Sequence, residues 1–214
     1  MKIIVCVPGQ QFSASFLRCW TDLMESASAL GHHLNLRLCY SSNIYYVRNM
    51  LLGGVNLITG EYEPFKGEDY DYSFWIDSDT VFRPADFWAL LAHELDIVTG
   101  ITMVNEQQTN IAMTTGDKIE DYLHLNIGDL INYGKSLFRC KYCGFSFAAV
   151  KKGVFEEIQY PWFRPYFMEM LPNVSDICGE DTGFCISARQ CGYDIFVDPK
   201  VRLGHEKVRV LQCR

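Results

Sequence analysis

Short apolar segments alternate with longer segments of helical periodicity along residues 2–103. Residues 2–7 contain an unbroken apolar run from Ile3 to Val7, which is typical of a parallel strand covered on both faces. Residues 34–40 alternate apolar and polar side chains, as a half-buried strand does. Further strands are predicted over residues 72–76 and 96–103, and helices from Ser13 or Ser15 to about residue 30, from 44 to about 59, and over 84–95. This order predicts an α/β fold with a mostly parallel central sheet.

The regular alternation is lost after residue 103. Residues 104–143 are polar, are punctuated by Gly116, Gly128 and Gly134, and show no clear period. A long irregular stretch inside a folded domain is usually functional, so we expect part of it to become ordered when a ligand binds. A strand over residues 145–150, a helix over 181–192 and a strand over 193–197 are predicted beyond it. We expect one domain over residues 1–214.

Composition excludes several classes of protein. The net charge of −7, from 26 acidic and 19 basic residues, argues against general binding to a nucleic-acid backbone. No apolar run approaches the roughly 18–20 residues that a membrane span requires. The apolar run at the start is too short for a signal peptide, and Pro8-Gly9 ends it. The sequence therefore predicts a cytoplasmic protein without a membrane span.

Two carboxylates follow the predicted strand over residues 72–76. Asp77 and Asp79 are separated only by Ser78, and on an extended segment they would point the same way. Ligands of open parallel sheets bind at the carboxyl ends of strands, which is where this pair stands. A divalent cation relieves the repulsion between two such carboxylates, and oxygen ligands suit Mg²⁺ or Mn²⁺. The pair therefore predicts a metal site next to bound phosphate.

The same residues permit a second interpretation. The run from Asp77 to Val81 fits the D-x-D-x-[TV] motif of haloacid-dehalogenase-like phosphatases. In that family the first Asp is a nucleophile and the second a general acid, which would assign those roles to Asp77 and Asp79. The family usually has this motif on its first strand, whereas here it follows the third predicted strand.

Two further groups complete the candidate site. Glu180 and Asp181 follow Gly179 at the start of a predicted helix, where acidic residues also suit the helix dipole. One of these carboxylates could position a sugar hydroxyl while the other acts as a base. His205 follows a strand-like segment and Gly204. Together with the two acidic motifs, His205 becomes a candidate nitrogen ligand for the same cation.

In this order the motifs resemble those of GT-A glycosyltransferases, the broad class that includes the family 2 enzymes. The segment Val47-Arg48-Asn49 resembles the helix motif near the nucleotide, Asp77-Ser78-Asp79 the DxD motif, Gly179-Glu180-Asp181 the motif of the catalytic base, and Gly204-His205 the late metal-binding histidine. The resemblance extends over about residues 2–206, and Cys143-Gly144-Phe145 resembles the glycine-containing segment on the acceptor side.

The resemblance implies a metal-dependent transfer of a sugar from a nucleotide-diphosphate sugar to an acceptor hydroxyl. Residues 1–103 would form the nucleotide-sugar-binding half and residues 104–214 the acceptor-side half. Asp181 would be the base of an inverting reaction, and Mn²⁺ or Mg²⁺ would be bound by Asp77, Asp79 and His205. Substrate binding is expected at Pro8, Arg48, Asn49, Asp77, Ser78, Gly144 and Glu180.

Several points stay open at this stage. UDP is the expected nucleotide, but Pro8-Gly9-Gln10-Gln11 lacks the acidic residue that often holds the base in such enzymes. Retaining enzymes share the fold and the metal site, so the stereochemistry is open as well. The acceptor hydroxyl could belong to a glycan, a protein or a modified nucleic acid, and the oligomeric state is not predicted. A catalytically inactive sugar-nucleotide-binding relative is a further alternative.

Overall fold

A computed structural model describes residues 1–55, 59–112, 124–131, 134–171 and 174–207. The described α-helices are α1 (Ala14–Ala29), α2 (Ile44–Leu51), α3 (Pro84–Leu91), α4 (Val154–Glu157) and α5 (Glu180–Gln190). The described strands are β1 (Lys2–Pro8), β2 (His33–Cys39), β3 (Tyr72–Ile76), β4 (Thr80–Val81), β5 (Ile97–Ile101), β6 (Gln108–Ala112), β7 (His124–Asn126), β8 (Phe138–Cys140), β9 (Tyr142–Cys143), β10 (Phe147–Lys151), β11 (Phe167–Leu171), β12 (Val174–Ile177), β13 (Ile195–Arg202) and β14 (Gly204–His205). Single 3₁₀ turns occupy Pro64–Gly67 and Asp129–Ile131. No described helix is long and apolar enough to cross a membrane.

The central sheet has seven strands in the order β2-β1-β3-β10-β5-β13-β8. Strand β1 is parallel to β2 and β3, and β13 is parallel to β5. Strand β10 lies between β3 and β5 and is antiparallel to both, while β8 is antiparallel to β13 at the edge. Strands β1, β2, β3, β5 and β13 thus run in one direction. The predicted α/β fold with a mostly parallel central sheet is confirmed.

The core lies in two layers, one on each face of this sheet. Along β1, Ile3, Val5 and Val7 pack with the buried faces of α1 and α3. Ile4 and Cys6, which point to the other face, pack with α2 and α5. Every residue of β1 after Lys2 is buried, because helices cover both faces as its unbroken apolar run predicted. Strand β2 at the edge is only partly buried, in keeping with its alternating sequence.

Local signals define some helix ends well and others poorly. Ser13 caps α1 by accepting a hydrogen bond from the Phe16 N–H, and Gly31 follows the helix at φ +69°. The prediction that α2 extends to about residue 59 was wrong, since it ends at Leu51. Gly53 and Gly54 adopt φ angles of +116° and +59°, which a continuing helix does not allow. Helix α3 likewise ends at Leu91 rather than at residue 95.

The second half of the chain is more regular than its sequence predicted. Strands β6, β7 and β9 form a small three-stranded sheet, and β8 joins the central sheet, although residues 104–143 show no strand period. Strand β13 continues past Pro199 to Arg202, with a shift of register against β5 that accommodates the proline. The prediction of ligand-dependent ordering includes residues 113–123 and 132–133, which lie outside the described residues.

Candidate active site

The candidate site lies where the parallel strands of the central sheet end. Asp77 directly follows β3, Thr102 follows β5, and Gly204 follows the end of β13 by two residues. Because β10 runs the opposite way, the residues that precede it also reach this edge, Gly144 among them. A cleft of about 370 Å³ opens there. This is the edge at which open α/β sheets bind their ligands.

Nearly all the site residues predicted from the sequence meet in this cleft. Its lining includes Pro8, Arg48, Asp77, Ser78, Asp79, Gly144, Glu180, Asp181 and His205. These residues come from distant parts of the chain, and the fold brings them to one edge of the sheet.

Asn49 was predicted to bind substrate, but in the structure its side chain forms hydrogen bonds with the protein backbone away from the cleft. The side chain is 5% exposed and does not line the cleft. Its Oδ1 accepts from the Phe163 N–H at 3.2 Å, and its Nδ2 donates to the carbonyl oxygens of Phe163 (2.6 Å) and Tyr45 (2.7 Å). Since a buried amide is satisfied by these bonds, Asn49 fastens the segment around Phe163 to α2.

The DxD segment is a turn and not the extended segment that its spacing predicted. The Thr80 N–H donates to the Asp77 carbonyl at 3.0 Å, so Ser78 and Asp79 occupy the corners of a β-turn. Thr80 then pairs with His205 in the short β4–β14 ladder. Both carboxylates still line the cleft, because the turn itself stands at its edge.

Arg48 connects two of the carboxylates. From α2, its Nη2 donates to Asp77 Oδ1 at 2.9 Å, and its Nε donates to Glu180 Oε1 at 3.1 Å. The residue is 3% exposed, and its guanidinium lies 5.7 Å from the centre of the Phe145 ring. Burial raises the pKa of Asp77. The positive charge of Arg48 opposes this rise, and the negative charge of Asp79 adds to it. Arg48 thus offsets part of the repulsion between Asp77 and Glu180, because the two carboxylates share its single positive charge.

Asp181 begins the first turn of α5 beside Glu180. Its Oδ1 accepts from the Thr182 N–H at 2.7 Å. Its Oδ2 is on the Gly144 side, 3.6 Å from where a methyl group on Gly144 would lie. Desolvation and, second, the charge of Glu180 raise the pKa of Asp181 to about 6. A carboxylate with such a pKa is ionised at neutral pH and is a stronger base than an ordinary aspartate.

His205 lies beside Asp79 at the edge of the cleft. Its Nδ1 is 2.7 Å from the Met103 carbonyl oxygen, which can only accept, so Nδ1 carries a proton. Its Nε2 is 2.9 Å from Asp79 Oδ2 and 2.8 Å from the Lys207 ammonium. If the imidazole is neutral, the lone pair of Nε2 faces the negative carboxylate of Asp79. If the imidazole is charged, the proton on Nε2 faces the positive ammonium of Lys207. One of the two contacts is therefore unfavourable in either state.

Sequence reasoning missed several polar residues of the cleft. Asn110 Oδ1 accepts from the Thr102 N–H at 2.9 Å, and the Thr102 and Ser146 hydroxyls are 2.7 Å apart. All three residues line the cleft and are buried. Asn110 lies in the stretch that showed no period, so the sequence carried no signal for it. Thr102 lies near the end of the strand predicted over residues 96–103, at the binding edge, and its position could have been used.

Two more depressions adjoin the cleft around Ser78. One of about 340 Å³ is lined by Pro8, Gly9, Gln10, Gln11, Tyr40 and Ser41, among others. The other, of about 660 Å³, is lined by Ser78, Asp79, Glu206 and Lys207, together with residues before α1. Ser78 of the DxD turn therefore borders all three spaces.

Comparisons with known proteins identify the fold. No family model and no curated protein matches the chain. Among solved structures, A197 from STIV is similar with a TM-score of 0.59 and 14% identity, over 100% of this chain and 98% of that one. S. aureus TarS 1-349 gives a TM-score of 0.45 with 15% identity, over 96% of this chain and 60% of that one. The inositol-1-phosphate CTP transferase from T. maritima gives 0.43 with 9% identity, over 96% and 89%. The chain shares its α/β fold with A197 along its whole length.

Proposed function

We propose that this protein is a metal-dependent glycosyltransferase that moves a sugar from a nucleotide-diphosphate sugar to an acceptor hydroxyl. One observation carries the proposal. A carboxylate with a pKa near 6, Asp181, shares a cleft with an imidazole–carboxylate pair, His205 and Asp79. The first can take a proton from an attacking hydroxyl, and the pair can hold a cation beside a leaving diphosphate.

The residues at His205 fit a divalent cation. The Met103 carbonyl holds the Nδ1 proton, as backbone carbonyls often do for metal-binding histidines, and this leaves Nε2 facing Asp79 Oδ2. No group of three or more His, Cys, Asp or Glu side chains suited to a metal occurs among the described residues. Mg²⁺ and related ions are commonly held by one or two protein ligands plus phosphate oxygens, so Asp79 and His205 suffice. When bound, Mn²⁺ or Mg²⁺ would neutralise charge that develops on the leaving diphosphate.

In this proposal Asp77 is not a ligand of the cation, although the sequence predicted it as one. One of its carboxylate oxygens already accepts from Arg48, and the other is free among the described contacts. We propose that Asp77 is close to the cation and that its ion pair with Arg48 fixes the DxD turn. Arg48 lines the cleft as well, so its guanidinium is placed to contact donor phosphates.

The depression beside Pro8 offers a place for the nucleoside. It shares Pro8, Ile44 and Ser78 with the lining of the cleft, and Tyr40 offers an aromatic ring. Gln10 and Gln11 supply neutral amides there, which can pair with a base edge but do not by themselves select one base. UDP is the nucleotide to test first.

Asp181 acts on the acceptor in this proposal. Its Oδ2, for which no hydrogen bond to a described residue is seen, would accept the proton of the acceptor hydroxyl. That oxygen would attack the anomeric carbon from the face opposite the leaving diphosphate, which inverts the centre. Glu180, Asn110 and Thr102 line the same cleft and would hydrogen-bond sugar hydroxyls. The acceptor belongs to a glycan, a protein or a modified nucleic acid.

The test begins with donor turnover, because it needs no acceptor. Purified protein is incubated with a panel of nucleotide sugars and Mn²⁺, and release of nucleoside diphosphate is measured. We expect slow release from one donor, its loss in excess chelator, and its loss in Asp79→Ala. Donor binding with equal affinity in chelator, measured by calorimetry, would contradict the metal-dependent proposal.

The same preparation separates a transferase from a phosphatase. A phosphatase that used Asp77 as nucleophile would hydrolyse aryl phosphates and form a beryllofluoride adduct on Asp77. We expect neither. Steady hydrolysis that disappears in Asp77→Asn would favour the phosphatase, and nucleotide-sugar binding without any turnover, with or without acceptors, would favour an inactive relative.

A further inference from the structure

The segment Gly204–Lys207, here called the C-terminal strap, is fastened to the DxD turn. Gly204 and His205 pair with Val81 and Thr80 in the β14–β4 ladder. The Glu206 N–H donates to the Asp79 carbonyl at 2.8 Å. These backbone bonds hold the strap in one register against the turn that carries Asp79.

The side chain of Glu206 in the strap lies close to the start of α1. Hydrogen bonds from Ser13 and, second, from Ser15 lower the pKa of the Glu206 carboxyl. Both serines stand at the start of α1, so the carboxylate also lies at the favourable end of a helix dipole. Lys207 is the next residue of the strap.

Lys207 places its positive charge next to His205 Nε2, the nitrogen that a metal would need. Its ammonium is 2.8 Å from His205 Nε2, and that nitrogen has only one lone pair. Because the Met103 carbonyl holds the proton of Nδ1, His205 has no second nitrogen to offer to a cation. A hydrogen bond from Lys207 and a bond to a metal therefore exclude each other at Nε2.

We propose that Lys207 is an internal competitor of the divalent cation: its ammonium holds His205 Nε2 in the metal-free protein and must leave before the cation binds. The inference rests on the proposed metal site. Space for this movement exists, since Lys207 borders the open depression of about 660 Å³ beside Asp79 and Ser78. The displaced ammonium stays within one side-chain length of the cation, where a bound diphosphate would attract it.

The test measures Mn²⁺ binding without nucleotide, by electron paramagnetic resonance of free Mn²⁺. Lys207→Met removes the competing ammonium, and we expect it to bind Mn²⁺ about fivefold more tightly than the unmodified protein, the effect of one exposed charge-assisted contact. Lys151→Met is the matched control. Lys151 is exposed and lies at the opposite end of the sheet, where β10 pairs with the start of β3, so its removal should leave the affinity unchanged.

A second measurement detects the contact itself. The imidazole ¹⁵N resonance of His205 Nε2 in metal-free protein should shift in Lys207→Met and stay in place in Lys151→Met. Equal Mn²⁺ affinity in Lys207→Met and the unmodified protein, or an unmoved Nε2 resonance, would overturn the inference.

Asp79→Ala shows which idea has failed. If it abolishes Mn²⁺ binding while Lys207→Met has no effect, the proposed metal site stands and only the competition by Lys207 is wrong. If Asp79→Ala binds Mn²⁺ as the unmodified protein does, the metal lies elsewhere and both the site and the inference fall.

Discussion

Arg48 forms ion pairs with two carboxylates at once, so its loss should be costly. In Arg48→Met, Asp77 and Glu180 would remain close together without a counter-charge, and breaking a buried ion pair from one side typically costs about 3–5 kcal/mol. We expect a loss of this size in the free energy of unfolding, measured with urea at pH 7. The exposed Arg18 on α1 provides the control, since Arg18→Met should change stability by less than about 0.5 kcal/mol. Similar values for the two variants would show that Arg48 is not needed to hold the carboxylates.

Asp181 should control turnover and its pH dependence. Asp181→Asn keeps the shape and removes the proton acceptor, so we expect turnover to fall by at least about a hundredfold with little change in donor affinity. In the unmodified protein, turnover should rise with pH through about 6, as Asp181 ionises, and then level off. Steady-state kinetics from pH 5 to 8 test both statements. A variant that instead loses donor binding would make Asp181 a donor ligand.

The same carboxyl should lower stability at neutral pH. Its pKa is about 6 in the folded protein against 3.8 for an ordinary aspartate, so between these values the folded state binds more protons than the unfolded state. Stability therefore falls as pH rises through this window, and the cost is complete above pH 6. Asp181→Asn lacks this cost, and we expect it to be more stable than the unmodified protein by about 3 kcal/mol at pH 7 and equally stable near pH 3. Urea unfolding at pH 3 and pH 7 tests this. If the explanation were wrong, the difference in the free energy of unfolding between the variant and the unmodified protein would be the same at both pH values.

At the scale of elements, the position of α5 depends on Gly183. A Cβ at this residue would lie 1.7 Å from the Arg164 carbonyl oxygen, so α5 packs against the backbone before β11 at a distance that only glycine allows. Asp181 is two residues away on the same helix, and a shift of α5 would displace it. This close approach explains why a helix interior contains a glycine despite its low helix propensity.

Gly183→Ala should therefore destabilise the protein even though alanine favours helices. We expect a loss of about 1–3 kcal/mol from the overpacking, together with lower turnover because Asp181 moves. Gly128→Ala adds the same methyl group where no atom lies within 4 Å, and it serves as the control. Thermal unfolding of both variants tests this prediction. A stabilised Gly183→Ala variant would show that the backbone at Arg164 moves away at little cost.

For the whole molecule, donor and metal should stabilise the fold together. The cleft draws its lining from β1, α2, the DxD turn, α5 and the strap, so a ligand bound there should oppose unfolding of the entire sheet. Ligand at ~100 times its Kd adds about 2.7 kcal/mol, which corresponds to a rise in Tm of about 5–10 °C for a chain of this size. We expect this rise with Mn²⁺ and UDP, and a much smaller one with UDP in chelator or with Asp79→Ala. An equal rise in chelator would speak against the metal.

The sequence by itself was sufficient for the features that neighbouring residues determine. The apolar run in β1 predicted a strand covered on both faces, Ser13 predicted the start of α1, and the order of the acidic motifs and His205 predicted which residues share a site. The first two depend on residue type and spacing within a few positions, where backbone preferences and side-chain periodicity act directly. The third came from the resemblance of the motif order to a known family, because these motifs lie far apart along the chain.

The tertiary structure alone decided the remaining features. It inserted β10 in reverse between β3 and β5, made the DxD segment a turn, and assigned Asn49 to the Phe163 backbone. It also joined Arg48 to Glu180 across 132 positions, and placed Lys207 on His205. The positions of these partners, and the pKa of a carboxyl such as Asp181, depend on burial and charges contributed by distant segments. Local patterns do not contain that information, because it arises only when the sheet is assembled and water is excluded from its edge.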